Sequence, residues 1–262
     1  SEGENLVLLP HKKNVRVREI YSQNEKSRAS QIGERCALQI SGIEKKDISR
    51  GDWLHGHSSI LSSNRINVRL EISSYLNFKV KHLCPVKLYI GAKLISAKLY
   101  LLMRKTDGFS LSAGSRVYAQ IIIEGEISCC NGDKFVLRDD SELVTLGGGT
   151  VLEPWAEYDP IFAENKRSYL QALELSTPLQ SLIRLAIEEK CLVNLTHFEL
   201  LQNLNKNDLE TILKDEKLKK KIRVFSNANH TYLVSLENWD QCRHNIINCI
   251  KDYHRSHPDL PG

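Results

Sequence analysis

The sequence predicts a multi-domain chain: two small antiparallel β units, then a winged-helix α+β domain, then a long C-terminal helix. Three observations carry this. The first 155 residues break into short, often alternating apolar/polar runs separated by Gly, Asn, Asp and Ser, the pattern of antiparallel barrels or sandwiches. After Pro154 the period changes to that of helices. The elements that follow come in the order helix, short extended piece, helix, helix, hairpin, which is that of a helix-turn-helix with a β wing.

Strands are expected at "NLVLLP", "NVRVREIY", "RCALQI", "GDWL", "RINVRLEI", "PVKLYIG", "AKLISAKLYLLMR", "SRVYAQIIIEG", "DKFVLRD" and "GGGTVLEP". In "RCALQI", Cys36, Leu38 and Ile40 alternate with Ala37, Gln39 and Ser41, as in a strand with one covered face. The polar, Ser-rich spacer His55 to Asn64 divides the β region in two, and Trp155 to Pro160 reads as a linker. Beyond it Leu179, Leu182, Ile183, Ala186 and Ile187 share one helix face. Thr177, Pro178 and Gln180 mark that helix's start with an N-cap, a proline at the first position and a capping box. Thr196 with Glu199, and Asn207 with Glu210, predict the starts of two more. "KIRVF" and "TYLVS" form the hairpin, and a final helix aligns Trp239, Cys242, Ile246, Cys249, Ile250 and Tyr253 on one stripe. The expected boundaries are 1–60, 61–155, 156–236 and 237–262.

Composition excludes several classes. Hydrophobic content of 41% and charged content of 26% describe an ordinary globular chain. No apolar run nears the ~20 residues of a membrane span, and the N-terminus lacks a signal-peptide layout, so no membrane partner is expected. Seven cysteines with no C-x-x-C pair argue against a disulfide framework or a zinc site and point to a cytoplasmic protein. Residues 1–75 carry 12 basic and 9 acidic side chains, and the remaining +1 of the net +4 comes from the 24 basic and 23 acidic side chains beyond them. That small excess suits a polyanionic partner.

Candidate sites are few. "TLGGGTVLEP" is glycine-rich, but no Lys and no helix follow, so close strand packing is a better account than phosphate binding. His55 and His57 have no obvious third ligand. Lys219, Lys220 and Lys221 precede the wing and could touch phosphates, yet Asp208, Glu210, Asp215 and Glu216 make the neighbouring helix acidic, which favours a solvated charge run. No catalytic constellation can be assembled, so the chain is not expected to be an enzyme.

"VRVREIYSQN", "GERCALQISGIEKKDISRGDWL", "DKFVLRDDSELVTLGGGTVLEP" and "HRSHPDLPG" together resemble the bacterial selenocysteine-specific elongation factors, SelB. The segment G-E-x7-G-I-x-K-x-D-I-x-R-G-D is shared with the wider elongation-factor Tu class; the F-V-L-R-D…L-G-G-G-T-V-L block and the appended winged helix narrow it. The resemblance implies an incomplete Tu-like domain II, a complete domain III and a connector winged helix. It implies delivery of selenocysteinyl-tRNA to the ribosome at UGA codons, with the selenocysteine-insertion mRNA hairpin bound by winged helices beyond residue 262. GTP and Mg would belong to a GTPase domain not included in these residues, leaving no cofactor for this chain. Arg35, where elongation factor Tu usually has Asn, matches the SelB arginine that faces the selenocysteine side chain. Arg16, Arg18, Arg65 and Arg69 are candidate tRNA contacts, with solvated surface as the alternative for each. Another Tu-like factor, or a DNA-binding winged-helix regulator with a β-barrel, would fit the same element order.

Overall fold

The computed structural model describes residues 1–56, 62–102, 110–157, 164–175, 177–189, 192–227 and 230–256. The chain forms two compact units, Ser1–Phe162 and Ala163–Gly262.

The first unit opens with a five-stranded antiparallel sheet: β1 (Asn5–Leu9), β2 (Lys13–Ser22), β3 (Glu25–Ser27), β4 (Cys36–Ser41) and β5 (Trp53–His55). The order is β3-β2-β1-β5, with β4 also on β2, and among the described residues the sheet does not close on itself. Alternation on β2 buries Val15, Val17 and Ile20 with Leu8 and Leu9 of β1, leaving Arg16 and Arg18 on the opposite, exposed face. Gln23 and Asn24 both have positive φ, 51° and 69°, as the tight β2–β3 turn requires.

The remainder of this unit is a closed six-stranded barrel. Its strands are β6 (Ser63–Ile72), β8 (Cys84–Ile90), β9 (Lys93–Leu101), β11 (Arg116–Ile127), β12 (Lys134–Asp139) and β13 (Thr145–Glu153). They pair in the order β11-β6-β13-β12-β8-β9, and the short β7 (Val80–Lys81) and β10 (Ser110–Leu111) pair beside them. Alternate residues fill the interior: Ile66, Val68 and Leu70 on β6, Leu88 on β8, Leu99 on β9, Ile121 on β11 and Leu137 on β12 are all fully buried. The glycine run lies inside β13, as close packing predicts. A Cβ on Gly147 or Gly149 would collide with the carbonyl of Glu71 or Arg69 on β6, and one on Gly148 would sit 2.6 Å from the Phe135 carbonyl on β12.

The second unit holds α1 (Glu164–Leu173), α2 (Pro178–Ile183, continued by a π-type turn to Glu188), β14 (Val193–Asn194), α3 (Leu195–Leu201), α4 (Lys206–Leu213) and α5 (Glu216–Lys219). The hairpin β15 (Ile222–Ser226) and β16 (Thr231–Ser235) and the helix α6 (Leu236–Ser256) complete it. Its sheet runs β14-β16-β15, and Leu170, Leu182, Phe198, Leu218 and Leu233 form its core.

Among the described residues, each expected run contains a strand, and Thr177 caps α2 by accepting from the Gln180 N–H. Two starts differ. Asn194 and Asn205, not Thr196 and Asn207, cap α3 and α4, and Asp208 completes a reciprocal capping box with Asn205. Asparagine caps as well as threonine, and the two signals lie two residues out of phase. α1 is a further helix inside the span read only as following a linker. Half-burial of β4 also fails: Cys36 and Ile40 are partly covered, while Ala37, Leu38 and Gln39 are exposed. The strand sits at the rim of an open sheet.

Candidate functional site

Arg35 lies in the loop that feeds β4, beside an open recess of about 660 Å³ lined by Tyr21, Gln23, Asn24, Gly33, Glu34, Arg35, Cys36 and Ala37. The recess exists because the β2–β3 turn and the 31–34 loop stand apart across the Ser22–Cys36 pair, where β2 and β4 begin to ladder. Glu34 pins the loop: it accepts from the Gln31 N–H at 2.9 Å and the Ser22 hydroxyl at 2.9 Å. Those two bonds, the backbone one first, hold its carboxyl below the usual carboxylate range. Gly33, at φ +89°, gives the loop its left-handed step. Arg35 itself is exposed, so its charge is solvated and screened.

Arg16 and Arg18 sit on the same sheet, at the far end of the β2–β4 ladder. Arg16 donates through Nε to the Gly3 carbonyl at 3.2 Å, and Arg18 through Nε to the Ser41 hydroxyl at 2.8 Å. Both guanidinium groups are thereby oriented on an exposed face. Roughly 17 Å of strand, the length of β4, separates them from Arg35.

Arg65 and Arg69 project from the outer side of β6 and are half-buried. Arg65 donates to Gln120 Oε1 at 3.4 Å. Gln120 donates in turn to Asn67 Oδ1 at 3.1 Å and to the Glu157 carbonyl at 3.0 Å, and Asn67 donates to the buried carboxylate of Glu153 at 2.5 Å. With the Ala156 N–H bonded to the Arg65 carbonyl, the network ties residues 156–157 to the barrel wall. Arg65 is thus part of a structural network. Arg69 faces Thr150 and Tyr118 across its two neighbouring strands, next to Lys134, whose ammonium donates to Thr150 Oγ1 at 2.6 Å.

Lys219, Lys220 and Lys221 are exposed at the end of α5, and Lys220 pairs with Glu216 at 3.5 Å. Asp208 and Glu210 on α4 are exposed nearby in sequence. His57 lies outside the described residues. No group of three or more metal-ligating side chains is found among the described residues, and no helix among them is long and apolar enough to cross a membrane. The site residues that sequence reasoning missed are Glu34 and Ser22, which shape the recess; their spacing, twelve residues apart in an unremarkable loop, carries no motif.

Residues 63–157 match the family described as the β-barrel domain of the selenocysteine-specific elongation factor. The selenocysteine-specific elongation factor of Escherichia coli (strain K12) is 27% identical over 267 residues, which take in 99% of this chain and 38% of that protein. The Haemophilus influenzae protein of the same name is 30% identical over 140 residues, 53% of this chain and 21% of its own length. A solved structure of a bacterial selenocysteine-specific elongation factor, EF-Sec, shares the fold with a TM-score of 0.62 over 88% of this chain and 34% of the other, at 20% identity. The chain therefore spans about two fifths of the relative it matches from end to end. Residues 63–157 thus match the β-barrel domain family of the selenocysteine-specific elongation factors, and the chain as a whole is similar to proteins of that name.

Proposed function

We propose that this chain is the aminoacyl-tRNA-holding and connecting part of a factor that carries selenocysteinyl-tRNA to the ribosome. In this reading the open first sheet is a Tu-like domain II, the closed barrel a domain III, and residues 164–235 a winged helix that connects rather than reads nucleic acid. GTP hydrolysis then belongs to another part of the protein, and the factor works in the cytoplasm. The observation that supports the reading most is Arg35 beside an open recess, on a sheet that also presents Arg16 and Arg18.

The chemistry is that of anion recognition. A thiol titrates near pKa ~8.5; a selenol, with a weaker bond to hydrogen, is more acidic and is an anion at neutral pH. Serine on the same tRNA stays neutral. A guanidinium at the recess attracts the first and gains nothing comparable from the second. Full exposure would limit the advantage to a few-fold. Coverage by the aminoacyl end would raise it towards the tenfold of a charge-assisted bond made out of water, about 1.5 kcal/mol. The acidic surface of α4 supports the connector role, since Asp208 and Glu210 would repel a phosphate backbone.

The test uses the full-length factor with GTP. Its affinity for selenocysteinyl-tRNA and for the same tRNA carrying serine is compared in wild type and Arg35→Ala. The preference should fall about five- to tenfold in the variant, with seryl-tRNA binding little changed. An undiminished preference would remove Arg35 from the role.

A further inference from the structure

The segment Ser49-Arg50-Gly51-Asp52 leads into β5 of the first sheet, yet its side chains reach the barrel. The Asp52 N–H donates to the Ser49 carbonyl at 3.1 Å, and the Ser49 N–H donates to the Asp52 carboxylate at 2.7 Å. Gly51, at φ +87°, takes the third position of this turn, the one that demands a left-handed residue. Gly51 has a second reason to be glycine. A Cβ there would stand 2.7 Å from the backbone of Lys93, the first residue of β9 in the barrel. The turn is therefore pressed against the barrel's β8–β9 hairpin.

Across that contact, Lys93 Nζ meets Asp52 Oδ1 at 3.1 Å, and His11 Nε2, from the β1–β2 connection, lies 3.4 Å from Oδ2. The Asp52 side chain is only 2% exposed, against 20% for Lys93 and 41% for His11. A carboxylate so buried is costly unless paired and hydrogen-bonded; here both oxygens are engaged, one of them by the barrel's Lys93. The adjoining seam is incompletely filled. It opens into a crevice of about 190 Å³ bounded by Trp53 on one side and by Ile90, Gly91, Ser128 and Asp133 on the other. Ser128 is 7% exposed, and its hydroxyl has no hydrogen-bond partner among the described residues.

We propose that Gly51 and Asp52, with Lys93 as the barrel's contribution, form a lock that fixes the orientation of the open sheet against the closed barrel. Asp52 and Lys93 are positioning residues. On the reading given under Proposed function, they set where the Arg35 recess stands relative to the barrel's Lys134–Thr150–Arg69 surface, so that one RNA can meet both. A buried ion pair with both carboxylate oxygens occupied adds a directional constraint to the seam, favouring the arrangement in which both contacts are made.

The decisive measurement needs no RNA, so its outcome does not depend on the tRNA reading. Spin labels are attached through non-natural side chains at the exposed Ile32 of the sheet and Leu143 of the barrel, and their distance distribution is recorded in the whole 262-residue chain. Asp52→Asn and Lys93→Met should each broaden the distribution at least twofold, and Lys93→Arg should restore the wild-type width. Unchanged widths in Asp52→Asn and Lys93→Met would overturn the lock. Loss of the β-sheet circular dichroism signal in both would overturn it too, by making the cluster a requirement for folding. If the lock stands, selenocysteinyl-tRNA affinity in the full factor should drop several-fold for Lys93→Met and recover in Lys93→Arg. Failure of that second result alone would fault the tRNA reading and leave the lock intact.

Discussion

β4 of the open sheet and β12 of the barrel both alternate apolar and polar residues, and in sequence they are hard to rank. On β12, Phe135 is 3% exposed and Leu137 fully buried; on β4, Leu38 is 36% exposed. The difference is closure. A barrel encloses every inward side chain and leaves no edge, whereas an open sheet covers one face in its middle and loses cover at its rim. Candidate chemistry follows the same division. The rim holds Arg35, Glu34 and Tyr21 beside a recess, and the barrel holds a core whose outer arginine, Arg65, is enlisted in a structural network.

Changes of equal size in the two regions should therefore have unequal effects, and the largest contrast is between glycines. Gly149→Ala drives a methyl group into the Arg69 carbonyl inside the barrel. It should cost about 3 kcal/mol or more, by analogy with overpacked cores, read as a lowered urea midpoint. Gly33→Ala meets nothing within 4 Å and pays only for its positive φ, roughly 1–2 kcal/mol. Equal costs would mean that β13 moves aside freely and that the three glycines are not a packing requirement.

Truncations come next. Leu137→Ala should lose about 2–5 kcal/mol, and Leu38→Ala under about 1 kcal/mol. A large loss at Leu38 would show that the rim is covered in solution.

The smallest effect concerns the seam between the regions. Burial would raise the Asp52 carboxyl, but the Ser49 N–H, Lys93 and then His11 outweigh it, and the group is held below its ordinary value. The folded state is therefore favoured fully above the ordinary aspartate value of about 3.9, and the advantage is lost as pH falls through the depressed one. The Tm difference between wild type and Asp52→Asn should be constant near pH 6 and shrink below pH 4. A difference that persists at pH 3 would mean that Asp52 contributes packing and not charge.

Much of the fold is legible in the sequence. The barrel strands declare themselves because each is long enough for two or three inward residues, as Ile66, Val68 and Leu70 show. β3, β7 and β10 are two or three residues long, too short for any period. The caps of α3 and α4 were offset because Asn194 and Asn205 compete with equally plausible signals two residues later. At the candidate site, Arg35 was visible through resemblance alone. The recess beside it depends on Glu34 closing a loop onto Ser22, and the commitment of Arg65 depends on Gln120, 55 residues away. Asp52 stands in plain view within a shared motif, but its partner Lys93 lies on the barrel, 41 residues away, and no local pattern joins them.

The pinned carboxylate of Glu34 has one more consequence. It lines the same recess as Arg35, so the two charges largely cancel for anything more than a few ångströms away, and the recess exerts no long-range pull. Attraction from a distance falls to Arg16, Arg18 and their neighbours on the open face, and that attraction fades as ions crowd the solution within a Debye length of about 8–10 Å. On the proposed reading, discrimination at the recess begins only on contact, where the guanidinium and not the carboxylate would meet the aminoacyl end. If the proposed tRNA role holds, capture and discrimination answer differently to added salt: titrating potassium chloride should weaken the full factor's hold on either tRNA together while leaving the ratio between them nearly constant.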